Sequence, residues 1–204
     1  MKRSMFFAAV IAVLCFAVNT SAQSKYEIKD AKKAAKTLQK DGWKTDGGTR
    51  TIESCLIAYN QLAANNELVE GRSAGIKGNN TKVAQSLAKQ NALSEYVQMN
   101  NSFFEGVGNE LEGKVGDETI DNITNAVKSK FVGSVEGKMK VSFVLFKTES
   151  NGTLSCIAYC YLSSAAAEAA KESARQQAMS EAVKDAESVK DFNASVNEII
   201  EAGK

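Results

Sequence analysis

From Met139 to Leu162 apolar and β-branched residues run in two blocks around Asn151-Gly152, the dipeptide best suited to the paired positive φ angles of a type I′ turn. This predicts a β-hairpin. With Asn151 and Gly152 as the loop, counting outward sets Leu145 against Ala158, Phe143 against Cys160 and Val141 against Leu162 on a wholly apolar face. The other face then pairs Phe146 with Ile157, Val144 with Tyr159 and Ser142 with Tyr161, because side chains alternate along a strand. A lone ribbon is marginal, so helices or further strands must cover at least one face. From Ser164 the period changes to four: Ala166, Ala170, Ala174, Ala178, Ala182 and Ala186 form a small-residue ridge on one side of a predicted helix. Charged residues interleave at helical spacing on its other side, so the tract is an amphipathic helix and not a polyalanine run.

Upstream, Ile28, Ala31, Ala35 and Leu38 stripe a basic helix over residues 25 to 44 that Asp41-Gly42 stops, with Trp43 plugging the core beyond. Ile52, Cys55, Leu56, Tyr59 and Leu62 predict a core-facing helix from Thr51 to Asn65. Leu68 to Ile76 predicts a strand whose Gly71 and Gly75 signal a bulge or a close backbone approach. A third helix runs from Thr81 to about Phe104, and a fourth from about Glu118 to Val132 with Ile120, Ile123, Val127 and Phe131 on one side. Between them residues 105 to 121, with four glycines and six acids, predict an irregular linker. The apolar stripe of Phe192, Val196, Ile199 and Ile200 predicts a broken continuation of the last helix. Residues 88 to 97 (AKQNALSEYV) and 174 to 183 (ARQQAMSEAV) match at an offset of 86, and a predicted strand precedes each. Two strand-helix units of related design and convergence of two alanine-rich helices both account for the match.

The N-terminus carries a different pattern. Lys2 and Arg3 precede an apolar run from Met5 to Val18 and the small residues Thr20-Ser21-Ala22, which reads as a signal peptide cleaved after Ala22, leaving residues 23 to 204 as one domain. Leu14 stands where a lipid-attachment site before Cys15 needs a small residue, so cleavage without lipidation and an unanchored product are expected. Cleavage removes two bases and no acid, so 23 bases face 24 acids and the net charge is −1. Near-neutrality argues against a nucleic-acid partner. The chain has no proline, where average usage of about 5% would supply roughly ten. Uninterrupted helices fit that composition.

Candidate chemistry is sparse. The chain has no histidine, which removes the commonest general base and most zinc and iron sites. Gly108 to Lys114 matches G-x-x-x-x-G-K, but Val115 stands where a metal-binding Ser or Thr belongs, and Glu110 and Glu112 would repel phosphate. The acids there lack the alternating pattern of a calcium loop. Cys156 and Cys160, four apart on one strand, are too distant to bridge each other. Cys55 could pair with Cys156 or Cys160 in an oxidising compartment, or all three could be small buried thiols. No catalytic residue, cofactor or metal is expected.

The repeat Ala84-x-x-x-Ala88-x-x-x-Ala92 after a predicted strand, behind a Lys/Ala helix ending in Gly42-Trp43, resembles the LPP-twenty-type outer-membrane lipoproteins and their soluble exported relatives in Gram-negative bacteria. The likeness covers about residues 28 to 190 and implies a small α+β envelope domain, with helices against an antiparallel sheet. The expected fold is therefore α+β, the hairpin of residues 139 to 162 plus a strand near 68 to 76 packed on several long helices. The expected function is non-enzymatic: a structural or protein-interaction role in the periplasm, at the outer membrane or outside the cell, by self-association or with another envelope protein. The alternative is a module binding a small envelope glycan or lipid. Val144, Phe146, Ile157, Tyr159 and Tyr161 gather on the second hairpin face and are the candidate interaction face; cover by the first or fourth helix would make them core.

Overall fold

The computed structural model describes residues 28–113, 116–181 and 184. The signal segment, the far end of the alanine ridge from Ala182 and the stripe from Phe192 to Ile200 lie outside the described residues. In chain order the elements are α1 over 28–40, β1 (Lys44–Thr45), α2 (Ile52–Gln61), β2 (Asn66–Ile76), α3 (Thr81–Met99), α4 (Asn101–Leu111), α5 (Asp117–Glu136), β3 (Lys140–Thr148), β4 (Leu154–Ser163) and α6 over 164–181. The four strands form one antiparallel sheet in the order β1-β3-β4-β2, and the architecture is α+β as the pattern predicts.

Alternation along β4 sorts the sheet into two faces. Leu154, Cys156, Ala158, Cys160 and Leu162 enter one core with the alanine ridges of α3 and α6 and the apolar sides of α4 and α5. Ile157 and Tyr159 enter a second core with Ala31 and Ala35 of α1 and Ile52, Leu56 and Tyr59 of α2. The sheet is the middle of three layers, so β4 is buried on both sides. Ala84, Ala88 and Ala92 of α3 are fully buried, and Gly71 of β2 shows why small residues are needed there. A Cβ on Gly71 would collide with the Ala88 carbonyl oxygen and the Ala92 amide nitrogen. In α6 the buried ridge is Ala167, Ala170, Ala174 and Ala178, with Ala166 only partly covered.

The hairpin register differs by one residue from the predicted one. Phe146 faces Cys156, Leu145 faces Ile157, Val144 faces Ala158 and Phe143 faces Tyr159, and a further register shift near Ser142 sets Val141 opposite Cys160, two residues from the predicted Leu162. Asn151 lacks the positive φ that a type I′ turn demands at its first central position; Gly152 alone has it, at φ 78°. Instead the Asn151 side-chain oxygen accepts from the Thr153 amide at 3.0 Å and the Thr153 hydroxyl at 2.7 Å. The Gly152 amide donates to the Glu149 carbonyl at 2.9 Å, and the Glu149 amide to Thr153 at 2.8 Å. This is a three-residue loop closed by glycine, and the extra loop residue moves the pairing by one from the turn to Phe143.

The predicted linker of residues 105 to 121 is mostly helix: α4 runs to Leu111 and α5 starts at Asp117. Phe104, Val107 and Leu111 are buried at helical spacing, and that burial outweighs the cost of Gly106 and Gly108, neither of which meets a clash. Asn100 breaks the predicted third helix into α3 and α4.

Candidate interaction surface

The five residues of the predicted interaction face do not share a face. The one-residue slip sends Val144 and Phe146 into the core beneath α3 to α6, and Ile157 and Tyr159 into the core beneath α1 and α2. Tyr161 is half-buried at the end of β4. Val144, Ile157 and Tyr159 are buried: Tyr159 stacks on Phe143 at 4.2 Å and meets Tyr59 edge-on at 5.2 Å. Helices cover both sides of the hairpin, and four of the five residues, all but Tyr161, belong to its two cores.

The cysteines are equally internal. All three are free and buried. Cys156 and Cys160 point into the core under α3 to α6, whereas Cys55 lies on α2, across the sheet, so the predicted Cys55 pairing with either strand cysteine is not formed. Burial, aided by the charge of Asp46, pushes the Cys156 thiol up to about 12. Burial likewise raises Cys160 to about 11, with Lys89 opposing, and it raises Cys55 against Arg50 and Ser54. Such thiols are protonated at neutral pH and are poor nucleophiles. The buried tyrosines serve the fold: the Tyr59 hydroxyl shares its proton between the carbonyls of Val69 and Cys160 at 3.0 and 2.9 Å, tying β2 to β4.

What remains open is the outer margin of the sheet. Among the described residues no strand pairs with the far side of β2. The Asn65 carbonyl accepts from Ser164 at 3.0 Å, so odd-numbered residues turn their backbone groups toward β4, and Leu68, Glu70 and Arg72 turn theirs outward. Asn91 of α3 confirms the direction by donating its side-chain amide to the Arg72 carbonyl at 2.6 Å. Beside this edge, Val83, Leu87, Asn91, Ser94 and Gln98 step by four and three along one exposed side of α3. Val83 (43% exposed), Leu87 (38%) and Met99 (63%) make three of the four exposed large apolar side chains among the described residues. A groove of about 620 Å³ runs between strand and helix, lined by Leu68, Glu70, Arg72, Asn91, Glu95 and Met99 among others.

Sequence reasoning missed this surface. Its signal lies in the strand itself: Val69, Gly71 and Ser73 alternate with the exposed Glu70, Arg72 and Ala74, so charge sits on one face of an edge strand. That β2 is an edge follows only from the strand order. No family model matches the chain, and neither a curated protein nor a solved structure matches it.

Proposed function

We propose that this is a non-enzymatic exported envelope protein that acts through protein-protein contact, and that the β2–α3 margin is its working surface. The observation that carries the reading is the coincidence on one margin of strand backbone that no described strand pairs with and the exposed apolar side chains of α3. Both faces of the sheet are already covered by helices, so further chain can add only at an edge, and of the two edge strands β2 spans eleven residues where β1 spans two. The signal-like N-terminus and the resemblance to LPP-twenty-type proteins support the envelope setting. Photo-crosslinking residues placed at Leu87 or Glu70 in living cells test it. The expected result is a discrete crosslinked protein species from either position. No protein adduct from either would sink the proposal.

The groove also supports a second reading, a site for a small envelope glycan or lipid, since its volume lies within the range of about 300 to 1,000 Å³ usual for ligand clefts. Envelope extract depleted of protein would then raise the melting temperature of the pure chain, and Asn91→Leu would abolish the rise.

A further inference from the structure

We infer that the outward side of α1 is an electrostatic docking face for a membrane surface rich in anionic lipid headgroups. Ala31 and Ala35, each 2% exposed, press α1 into the second core, and at about 100° per residue the positions opposite them are Lys29, Lys33, Lys36 and Lys40. All four are exposed. They step by four, three and four, so the row is roughly 16 Å long at about 1.5 Å per residue, and no large apolar side chain lies along it. Like charges at these spacings repel one another and weaken the helix. Among the described residues only Lys32, to one side of the row, meets an acid, Glu53 at 3.7 Å. A row that repels itself and meets no acid within the described chain is satisfied by negative charge from outside.

Charge is divided between the layers. Residues 28 to 40 hold five lysines and one aspartate, net +4, within a chain whose net charge after cleavage is −1, which leaves −5 for the rest. Exposed Glu105, Glu112, Glu118 and Asp121 lie on or beside α4 and α5, in the layer across the sheet. Packed layers are about 10 Å apart, so these acids stand roughly 20 Å behind α1, beyond the screening length of about 8 Å at physiological salt. A flat surface therefore meets the lysines and not the net charge, whereas a flexible polyanion wrapping the chain would meet both. That asymmetry selects a plane. In the envelope setting proposed above, headgroup phosphates are the plane within reach. The contact is adsorption that salt reverses, because the packing stripe of α1 faces inward and leaves nothing to insert. α3 lies on the other side of the sheet, so the β2–α3 margin stays open while α1 is docked.

Flotation of the purified protein without residues 1 to 22 on lipid vesicles tests this, with circular dichroism as the check on folding. The native protein is expected to float with vesicles in which about a third of the lipid is phosphatidylglycerol, to ignore pure phosphatidylcholine vesicles, and to be released by about 0.5 M salt. The quadruple variant Lys29→Gln, Lys33→Gln, Lys36→Gln, Lys40→Gln should bind at least about a hundredfold more weakly, since each lysine at such a surface contributes about fivefold. Lys36→Gln alone should cost about fivefold. A second quadruple variant, Lys77→Gln, Lys82→Gln, Lys130→Gln, Lys138→Gln, removes the same charge away from α1 and should bind nearly as the native protein does. A native protein that ignores the anionic vesicles, or binds neutral ones equally, overturns the assignment. So does a folded α1 variant that binds like the native protein, or equal losses in the two quadruple variants. Binding to soluble polyglutamate without vesicle binding would give the row to an acidic protein and overturn the membrane assignment. None of these results bears on the β2–α3 margin, whose test is the crosslinks at Leu87 and Glu70.

Discussion

Gly71 is the residue on which the β2–α3 margin depends most directly. Its α-carbon lies against the backbone of α3, so any side chain must push the helix away from β2. Gly71→Ala is expected to destabilise the protein by about 3 kcal/mol or more, well beyond the usual surface substitution, because the opposing atoms are backbone and cannot rotate aside. Chemical denaturation measures it, and a loss under about 1 kcal/mol would show that α3 yields easily. Tyr59 makes a smaller contribution. Its hydroxyl bonds to two carbonyls that already lie within the β2–β4 ladder, so Tyr59→Phe leaves both with other partners. The expected cost is about 1 kcal/mol by urea midpoint.

Elements differed in how far the sequence revealed them. The helices whose apolar stripes are continuous, α2, α3, α5 and α6, were legible from spacing, and so were the hairpin and the strength of its β pattern. The register was not, because it depends on one loop residue. Asn-Gly signals both a two-residue and a three-residue turn, and only the Asn151 side chain bonding back to Thr153 decides between them. That single decision moved Val144 and Phe146 to the opposite core from Ile157 and Tyr159, and with them went the predicted interaction face. The α4 helix was hidden by Gly106 and Gly108, whose low propensity masks the Phe104, Val107 and Leu111 stripe until α5 is there to cover it. The β2 margin was hidden for a different reason, since edge position is a property of strand order and no local pattern encodes it. The turn chemistry is testable at this scale. Asn151→Ala removes both bonds to Thr153 and is expected to cost about 1 kcal/mol. Asn151→Asp, which keeps the acceptor oxygen, should cost less than half as much; equal losses would count against the side-chain cap.

At the scale of the whole molecule the packing of three layers sets how stability responds to pH. β4 buries Cys156 and Cys160 with no exposure of either, and burial is the first cause of the rise of their thiols from an ordinary 9.0 to about 12 and about 11. The folded state therefore holds these protons to higher pH than the unfolded chain does. The contribution is fully present below about pH 9, where the thiols of both states are protonated, and is lost as pH rises through the window between 9 and the folded values. One pH unit into that window weakens folding by on the order of 1 kcal/mol for each thiol. Tyr59, Tyr96 and Tyr159, all raised chiefly by burial, add to the decline only above about pH 10, their ordinary range. The cysteine part can therefore be isolated between about pH 8 and pH 10. Urea midpoints in reducing buffer are expected to fall across that interval for the native chain. They should fall distinctly less for the Cys156→Ala, Cys160→Ala variant, whatever its stability at pH 8. Parallel declines in the two proteins would mean that the strand thiols ionise without unfolding, and that water reaches the core under α3 to α6.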